Sequence, residues 1–290
     1  MLLLAQPWAE RRPVRSLSAM EMMLRSALAD YELGEEVAPG SYRARPPQRL
    51  GFGPEAVVRV WELSVDAAAW PAVSADLELF SSVDSPHLVR LIEAGPDLDP
   101  TGSGGYLVTE DPPGGGLASP AVGLDLRQRV DAVAGAARGA HALHESGLAH
   151  GSINADSILL ADRGGVLAAP RPTGRPGTVV RVQRWQDLDV LDPDLARGCP
   201  PSRASDIWAL AAVLHQVCSG ASLYPGLEQE QNVPALQKVM FAAPTVDPSV
   251  YDQHEELASL LQSCFVRDPA ARPATALELA ERLDRIGRGD

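Results

Sequence analysis

The segment DPPGGG at residues 111–116 is the strongest break in the sequence, because proline and glycine interrupt both helices and strands. Before it, residues 31–110 are mostly strand-like. AVVRVW at 56–61 and YLVTE at 106–110 are rich in β-branched and aromatic residues. One helical segment, SADLELFSSV at 74–83, lies between these strands. The pattern therefore predicts a small β-rich lobe that contains a single helix.

The part of the chain after this break is predominantly helical. Apolar residues recur at helical spacing over 124–146. The segment DIWALAAVLHQVC at 206–218 is apolar nearly all round, which is typical of a helix buried in a large domain. A short hairpin is predicted around the turn residues 162–165. We therefore predict an α+β fold with a small lobe at 31–110, a hinge at 111–116 and a helical lobe at 117–290.

Charge and cysteine content exclude several classes of function. The sequence has 25 lysine and arginine residues against 38 aspartate and glutamate residues, a formal net charge of −13. Such a chain repels phosphate backbones and anionic lipids, so we expect no nucleic-acid and no membrane partner. The three cysteines show no CxxC spacing, which favours a reducing compartment and no structural metal. No apolar stretch is long enough to span a bilayer, so we expect a soluble, cytoplasmic protein.

Residues 1–30 are predicted to form a leader followed by an amphipathic helix over 16–30. The apolar residues of this segment fall on one helical stripe that includes Met20, Met23 and Leu24. We expect the stripe to pack on the domain that follows. The alternative is that it binds the groove of a partner.

Residues 143–160, LHESGLAHGSINADSILL, carry the most specific motif in the chain. They resemble, without a gap, the catalytic loop L-H-x-x-G-[IL]-x-H-R-D-L-K-P-x-N-I-L-L of the eukaryotic-type Ser/Thr protein kinases. On this match His150 keeps the His of the His-Arg-Asp triplet and Ser152 replaces its Asp. Asn154 replaces the Lys of the loop and Ser157 replaces its Asn. Two further blocks follow in the family's order: SDIWAL at 205–210 and CFVRDPAARP at 264–273.

The resemblance covers about residues 31–286. It implies a bilobal protein-kinase-like fold, with a small β-rich N-lobe that carries helix C and a larger α-helical C-lobe. Phosphoryl transfer in this family needs a glycine-rich loop over the phosphates and a Lys on the third strand that is held by a Glu of helix C. It also needs a catalytic Asp and two Mg²⁺ ligands, an Asn and an Asp. Each of these positions is altered in this sequence.

The residues at the positions of the catalytic base and of the metal ligands cannot perform the roles that these positions have in the family. Ser152 cannot accept a proton at neutral pH as the family's Asp does. Ser157 replaces the Mg²⁺-binding Asn, and Pro170, at the position of the second ligand, has no side-chain oxygen at all. We therefore expect no catalytic residue and no metal at these degenerate positions.

The positions that would hold a nucleotide are vestigial. Gly40 is the single glycine where the family has a glycine-rich loop, so the row of backbone donors that cradles phosphates is missing. Arg59 replaces the Lys of the third strand, and Asp76 takes the place of the helix-C Glu, so we expect an Arg59–Asp76 ion pair. Val57 replaces the Ala that lies against the adenine ring in the family, so its extra methyl groups are expected to fill that space.

Four positions keep residues that support the fold in the family. His150 is expected beneath the cleft. The carboxylate of Asp206 is expected to accept backbone N–H bonds from the loop around His150, or to cap the helix that it opens. Arg272 is expected to pair with Asp194 below the segment that follows Pro170.

These losses together predict a pseudokinase, a catalytically inactive protein-kinase-like protein that acts as a regulatory or protein-binding module. ATP binding is expected to be weak or absent, and no other cofactor is implied. The expected partner is a protein, such as an active kinase or its substrate. The alternative is a divergent Ser/Thr protein kinase with residual ATP binding and weak phosphotransfer. A third hypothesis is a pocket that senses a small molecule without Mg²⁺.

Overall fold

The computed structural model describes residues 28–38, 40–96, 103–119, 123–162, 164–170, 185–230 and 232–288. The predicted leader and nearly all of the predicted helix at 16–30, with its methionine stripe, lie outside these residues. Leu28 to Asp30 form a turn that leads into the first strand.

The N-terminal lobe is a five-stranded antiparallel sheet with one long helix, as the sequence predicts. The strands lie in the order β1-β2-β3-β5-β4. The elements of this lobe are β1 (Glu32–Ala38), β2 (Ser41–Arg45), β3 (Val58–Asp66), α1 (Trp70–Ser82), β4 (Leu91–Pro96) and β5 (Ser103–Glu110). The helix begins four residues earlier than expected, with a proline in its first turn. A proline is well tolerated there because its missing N–H would have no partner inside the helix.

Strand β3 separates two environments because successive side chains of a strand point to opposite faces. Val58 and Val60 belong to a small outer cluster, which also contains Leu28 and Tyr31. Trp61 faces the other way and joins the main core. The side chain of Arg59 lies on this second face as well, so the strand directs a cation towards the interior.

The C-terminal lobe is helical around a two-stranded hairpin. Its elements are α2 (Leu126–Glu145), β6 (Ile158–Ala161), β7 (Gly164–Leu167), α3 (Trp185–Asp189), α4 (Pro193–Ala196), α5 (Arg203–Ser219), α6 (Asn232–Phe241), α7 (Pro248–Gln253), α8 (Glu255–Cys264) and α9 (Ala276–Arg288). The hairpin lies where the sequence predicts it. Helix α5 is capped by a reciprocal pair, Ser202 and Ser205, and nearly all of its side chains are buried. None of the described helices combines the length and apolarity needed to cross a membrane.

Backbone hydrogen bonds join the two lobes along the hairpin. The N–H of Val89 donates to the carbonyl of Leu167 at 3.0 Å, and the N–H of Leu167 donates to that of His87 at 2.9 Å. On the hinge, the N–H of Leu160 donates to Gly115 at 2.8 Å. The hairpin therefore connects the N-terminal lobe, the hinge and the helical lobe.

Glycines let α2 approach this junction closely. A Cβ atom on Gly139 would overlap the carbonyl of His87, and one on Gly135 would overlap the backbone of Gly165. Both glycines are buried on α2. The close contact of the helix with the hairpin and with the segment before β4 requires residues without a side chain.

Candidate functional site

The cleft face of the N-terminal sheet carries two arginines directly opposite each other. Arg43 on β2 is paired with Arg59 on β3, and Arg59 is paired in turn with Thr109 on β5. Like charges at directly opposite positions of a sheet repel each other. This row of the sheet therefore needs a counter-ion.

Asp111, the first residue of the hinge, supplies that counter-ion. Its Oδ1 lies 2.7 Å from Nη2 of Arg59 and accepts a hydrogen bond from Nε of Arg59 at 2.8 Å. Its Oδ2 accepts from Nε of Arg43 at 2.8 Å, and Arg43 also donates to Glu35 of β1 at 3.1 Å. The side chains of Arg59 and Asp111 are each only 2 % exposed. A chain of ionic contacts therefore runs from β1 through β2 and the hinge to β3.

The guanidinium of Arg59 is held on its other sides as well. Its Cζ lies 5.5 Å from the ring centroid of Trp61, and the indole N–H of Trp61 donates to Oγ1 of Thr109 at 3.3 Å. Burial lowers the pKa of Arg59, and the charge of Asp111 opposes this effect. An arginine still stays protonated under any ordinary condition, so Arg59 is a buried cation whose charge is balanced by Asp111.

The expected Arg59–Asp76 ion pair is wrong, because Arg59 pairs with Asp111. The β3–β5 register explains the choice, since Val58 lies opposite Glu110 and Asp111 follows at once on the neighbouring strand. Asp76 is half-buried on α1 and is one methylene shorter than a glutamate. Val57 lies just before β3 and is 39 % exposed. Its side chain is therefore partly open to solvent.

The turn between β1 and β2 is short. Ala38 pairs with Ser41, so two residues connect the strands, and Gly40 adopts a left-handed φ of 66°. The N–H of Gly40 donates to Oε1 of Glu36 at 3.1 Å. This donor is thus directed back to its own hairpin, where the kinase family has a loop that covers phosphates.

The loop after α2 is organised around a buried carboxylate, as the sequence predicts. Asp206 accepts the N–H of His150 at 2.7 Å and the N–H of Gly151 at 2.8 Å, and it also accepts a bond from Nε2 of His144 at 2.9 Å. It does not cap α5, because that role belongs to Ser202. His150 is buried, and its Nε2 donates to the carbonyl of Ala168 at 3.1 Å. These contacts fix the backbone of the loop.

The two serines of this loop are engaged within it. The N–H of Ser152 donates to Nδ1 of His150 at 3.3 Å, and its hydroxyl lies 3.4 Å from the same nitrogen. The hydroxyl of Ser157 donates to the carbonyl of Asn154 at 2.8 Å and accepts its N–H at 2.9 Å. Ser157 and Asn154 therefore cap the short 3-10 turn that they enclose.

A carboxylate from α3 approaches the same loop. Oδ1 of Asp187 accepts a hydrogen bond from Nδ2 of Asn154 at 3.3 Å. Helix α3 is anchored by its next carboxylate, since Asp189 accepts the hydroxyl of Ser222 at 2.6 Å and the N–H of Leu223 at 2.8 Å. Burial raises the pKa of Asp189. Asn154, which replaces the family's loop Lys, thus contacts α3 through its side-chain amide.

Pro170 is buried at the end of the segment that follows β7. Residues 171–184, which continue from it, lie outside the described part of the chain. Within the described ranges, no group of three or more histidine, cysteine, aspartate or glutamate side chains is arranged to hold a metal ion.

The expected Arg272–Asp194 pair is also wrong, because Arg272 pairs with Asp192. The side chains of Asp192 and Arg272 are each 1 % exposed, whereas that of Asp194 is 39 % exposed and pairs with Arg197 at 2.7 Å. Asp192 is also the N-cap of α4 and accepts the N–H of Asp194. Arg272 lies 4.9 Å from the ring centroid of Trp208. Asp192, the N-cap residue, is therefore the aspartate whose side chain faces the interior. It lies two residues before Asp194, which was expected there.

The sequence did not predict that Arg43 and Asp111 belong to the site. The only signal for Asp111 was its place at the first position of the hinge, directly after a strand. Arg43 gave no signal beyond its charge, since its role depends on the register between β2 and β3.

The two-lobed fold, the hinge and the loop around Asp206 define a protein-kinase-like domain. Residues 43–283 match the family of protein tyrosine and serine/threonine kinases, and the chain belongs to this family. It is 28 % identical to serine/threonine-protein kinase PkaB of Streptomyces coelicolor over 278 residues, which cover 82 % of this chain and 59 % of that protein.

Other relatives match a smaller part of the chain. Serine/threonine-protein kinase PknK of Mycobacterium bovis is 26 % identical over 169 residues, which cover 57 % of this chain and 15 % of PknK. The serine/threonine-protein kinase drp72 of Corynebacterium efficiens is 28 % identical over 170 residues, which cover 56 % of this chain and 31 % of drp72. The chain therefore spans about three fifths or less of the length of these relatives.

Proposed function

We propose that this chain is a pseudokinase that uses the kinase fold as a regulatory, protein-binding module and does not transfer phosphate. The observation that carries the proposal is the position of Asp111, which holds two arginines across the cleft face at the hinge. A kinase needs the cation of β3 for the phosphates of ATP. Here the charge of Arg59 is already balanced by a buried carboxylate.

A nucleotide could reach this cation only if the side chains around it opened, because the guanidinium of Arg59 is 2 % exposed. Such an opening rearranges a buried ion pair, which costs free energy. The two-residue turn at Gly40 offers no row of backbone donors that could repay this cost through the phosphates.

The loop beneath the cleft supports the same conclusion. Ser152 has no carboxylate to accept the proton of an attacking hydroxyl, and Ser157 uses its hydroxyl in the cap with Asn154. Pro170 contributes no side-chain oxygen. Mg²⁺ is usually bound through one or two carboxylates together with the phosphates of the substrate, and these positions supply none.

The residues that support the fold are retained while those of the chemistry are altered. Asp206 still holds the loop at His150, and Arg272 is still buried in an ion pair. A protein partner, such as an active kinase or its substrate, can bind to this frame without any catalysis. The partner role predicts that binding does not depend on ATP or Mg²⁺.

A divergent Ser/Thr protein kinase is the second candidate. It is favoured by the names of the relatives, which are serine/threonine-protein kinases, and by the cation that remains at the β3 position. On this hypothesis Arg59 releases Asp111 when ATP binds.

The test measures both ATP binding and phosphate transfer. The purified chain is melted with ATP, with and without Mg²⁺, and is then incubated with γ-labelled ATP and a general protein acceptor. We expect no Mg²⁺-dependent thermal shift and no transfer of label. Arg59→Ala and Arg49→Ala serve as matched variants, since Arg49 makes only exposed ion pairs. Transfer by the wild type and by Arg49→Ala that is lost in Arg59→Ala would establish the second candidate.

A further inference from the structure

The outer face of the N-terminal sheet is apolar from one edge to the other. Every strand contributes to its cluster: Leu33 of β1, Tyr42 and Ala44 of β2, Val58 and Val60 of β3, Ile92 of β4, and Tyr106 and Val108 of β5. Leu33, Tyr42, Ile92 and Tyr106 are only partly buried. The opposite face of an antiparallel sheet that packs on a core is usually polar. An apolar outer face of this extent indicates a binding surface.

Leu28, just before the first strand, already lies on this face. Its side chain is 1 % exposed and belongs to the outer cluster together with Tyr31. The N–H of Tyr31 donates to the carbonyl of Leu28 at 2.9 Å, and the two residues between them, Ala29 and Asp30, are exposed. The chain therefore reaches the sheet with Leu28 directed into the outer cluster, and residues 17–27 lead directly to this point.

The helix that the sequence predicts over 16–30 places more apolar residues in line with Leu28. Steps of four, four and three residues back from Leu28 lead to Leu24, Met20 and Leu17. Positions three and four apart are neighbours on a helix, so these four residues share one face, whereas Met22 falls on the opposite face. From Leu17 to Leu28 such a helix is about 17 Å long. Five strands about 4.8 Å apart span about 19 Å, so the stripe is long enough to cross the sheet.

We propose that residues 17–27 continue from Leu28 as a helix whose apolar stripe packs on the outer face of the N-terminal sheet. The occupant of this face is thus the chain's own N-terminal segment. Continuity favours this occupant, because the last residue of the stripe is already buried in the outer cluster and the other three lie on the same helical face. A protein partner must then bind the domain at another surface.

Hydrogen–deuterium exchange of the full chain, read by mass spectrometry of peptides from residues 16–30, tests the proposal. A helix of this length is marginal by itself in water, so its amides are protected only if it is docked. We expect the amides of residues 21–27 to exchange at least about tenfold more slowly than in an unfolded chain. Met20→Glu and Met22→Glu are matched variants on opposite faces of the helix. Only Met20→Glu is expected to remove the protection, because it places a charge against the apolar face.

A second variant identifies the surface on which the segment packs. Leu24→Glu is expected to speed exchange in the edge strands β1 and β4, which the helix would no longer cover, and to leave α5 in the other lobe unchanged. Rapid exchange of residues 21–27 in the wild type, equal exchange in Met20→Glu and Met22→Glu, or unchanged edge strands in Leu24→Glu would overturn the proposal. Protection that rises with protein concentration would also overturn it, because the face would then be covered by a second copy of the chain.

Discussion

Arg59 and Asp111 are 52 positions apart in the sequence, and their buried side chains meet at 2.7 Å across the boundary between β3 and the hinge. The pair joins the sheet to the segment that connects the lobes. Its burial means that Arg59, left without Asp111, would be an uncompensated charge.

Asp111→Ala is therefore expected to lower the free energy of unfolding by about 3–5 kcal/mol. The double variant Arg59→Met, Asp111→Leu is expected to be more stable than Asp111→Ala, because it removes both charges and keeps the volume filled. Urea denaturation followed by circular dichroism measures both. Asp30→Ala, which removes an exposed partner of Arg49, is the control and should leave the urea midpoint unchanged. Equal midpoints for Asp111→Ala and wild type would show that the ion pair does not hold the hinge.

The two aspartates at the start of α4 provide a second test. Asp192→Ala leaves Arg272 buried without a counter-ion and removes the cap of α4, so we expect a loss of about 3–5 kcal/mol. Asp194→Ala removes a half-exposed pair with Arg197 and is expected to cost less than about 1 kcal/mol. The same denaturation experiment ranks the two variants. A larger loss for Asp194→Ala would favour the Arg272–Asp194 pair that was expected from the sequence.

Close packing at Gly139 gives a third prediction. The added methyl group of Gly139→Ala would overlap the carbonyl of His87, so the junction between α2 and the N-terminal lobe must shift. We expect destabilisation by about 1–3 kcal/mol or more, although alanine is the better helix former. Gly53→Ala is the matched control, since nothing lies within 4 Å of its Cβ position, and it is expected to be neutral. Thermal melts of the two variants compare them directly, and equal melting temperatures would contradict the prediction.

His215 makes stability depend on pH. It is fully buried in α5, its Nε2 accepts the N–H of Asp247 at 2.9 Å, and burial lowers its pKa to about 4. The unfolded chain binds a proton at His215 below a pKa of about 6.5, so stability is lost as the pH falls from about 6.5 towards 4.

Between pH 7 and pH 5 we expect the wild type to lose about 2 kcal/mol more than the variant His215→Gln, which keeps an acceptor but does not titrate. Urea unfolding of both proteins at the two pH values isolates this contribution from that of the carboxylates. An equal loss of stability in the two proteins would mean that the pKa of His215 is the same in the folded and the unfolded chain.

The sequence predicts the order of the elements well because that order depends on local patterns. The apolar periodicity of α5 and the break at 111–116 are both visible without the fold, and the motif at 143–160 places the loop at His150. The short helices α3, α4, α6 and α7 were not predicted. Three of them carry a proline in or just before their first turns, and α3, α4 and α7 are too short for apolar periodicity to show.

Side-chain partners were harder to predict than elements, because they depend on register. Arg59 could be placed on β3, but its counter-ion follows from the pairing of Val58 with Glu110, which no local pattern reveals. In the same way, Asp192 and Asp194 differ only in which one the start of α4 turns inward. The contacts of Asp206 were predictable because the loop and the helix that form them each carry a specific motif.

The ionic chain from Glu35 to Arg59 crosses three strands and reaches the hinge. Because Asp111 is held by β2 and β3 at once, the first residue of the hinge moves with the N-terminal sheet. Any change in the angle between the lobes is therefore expected to arise at residues 112–116.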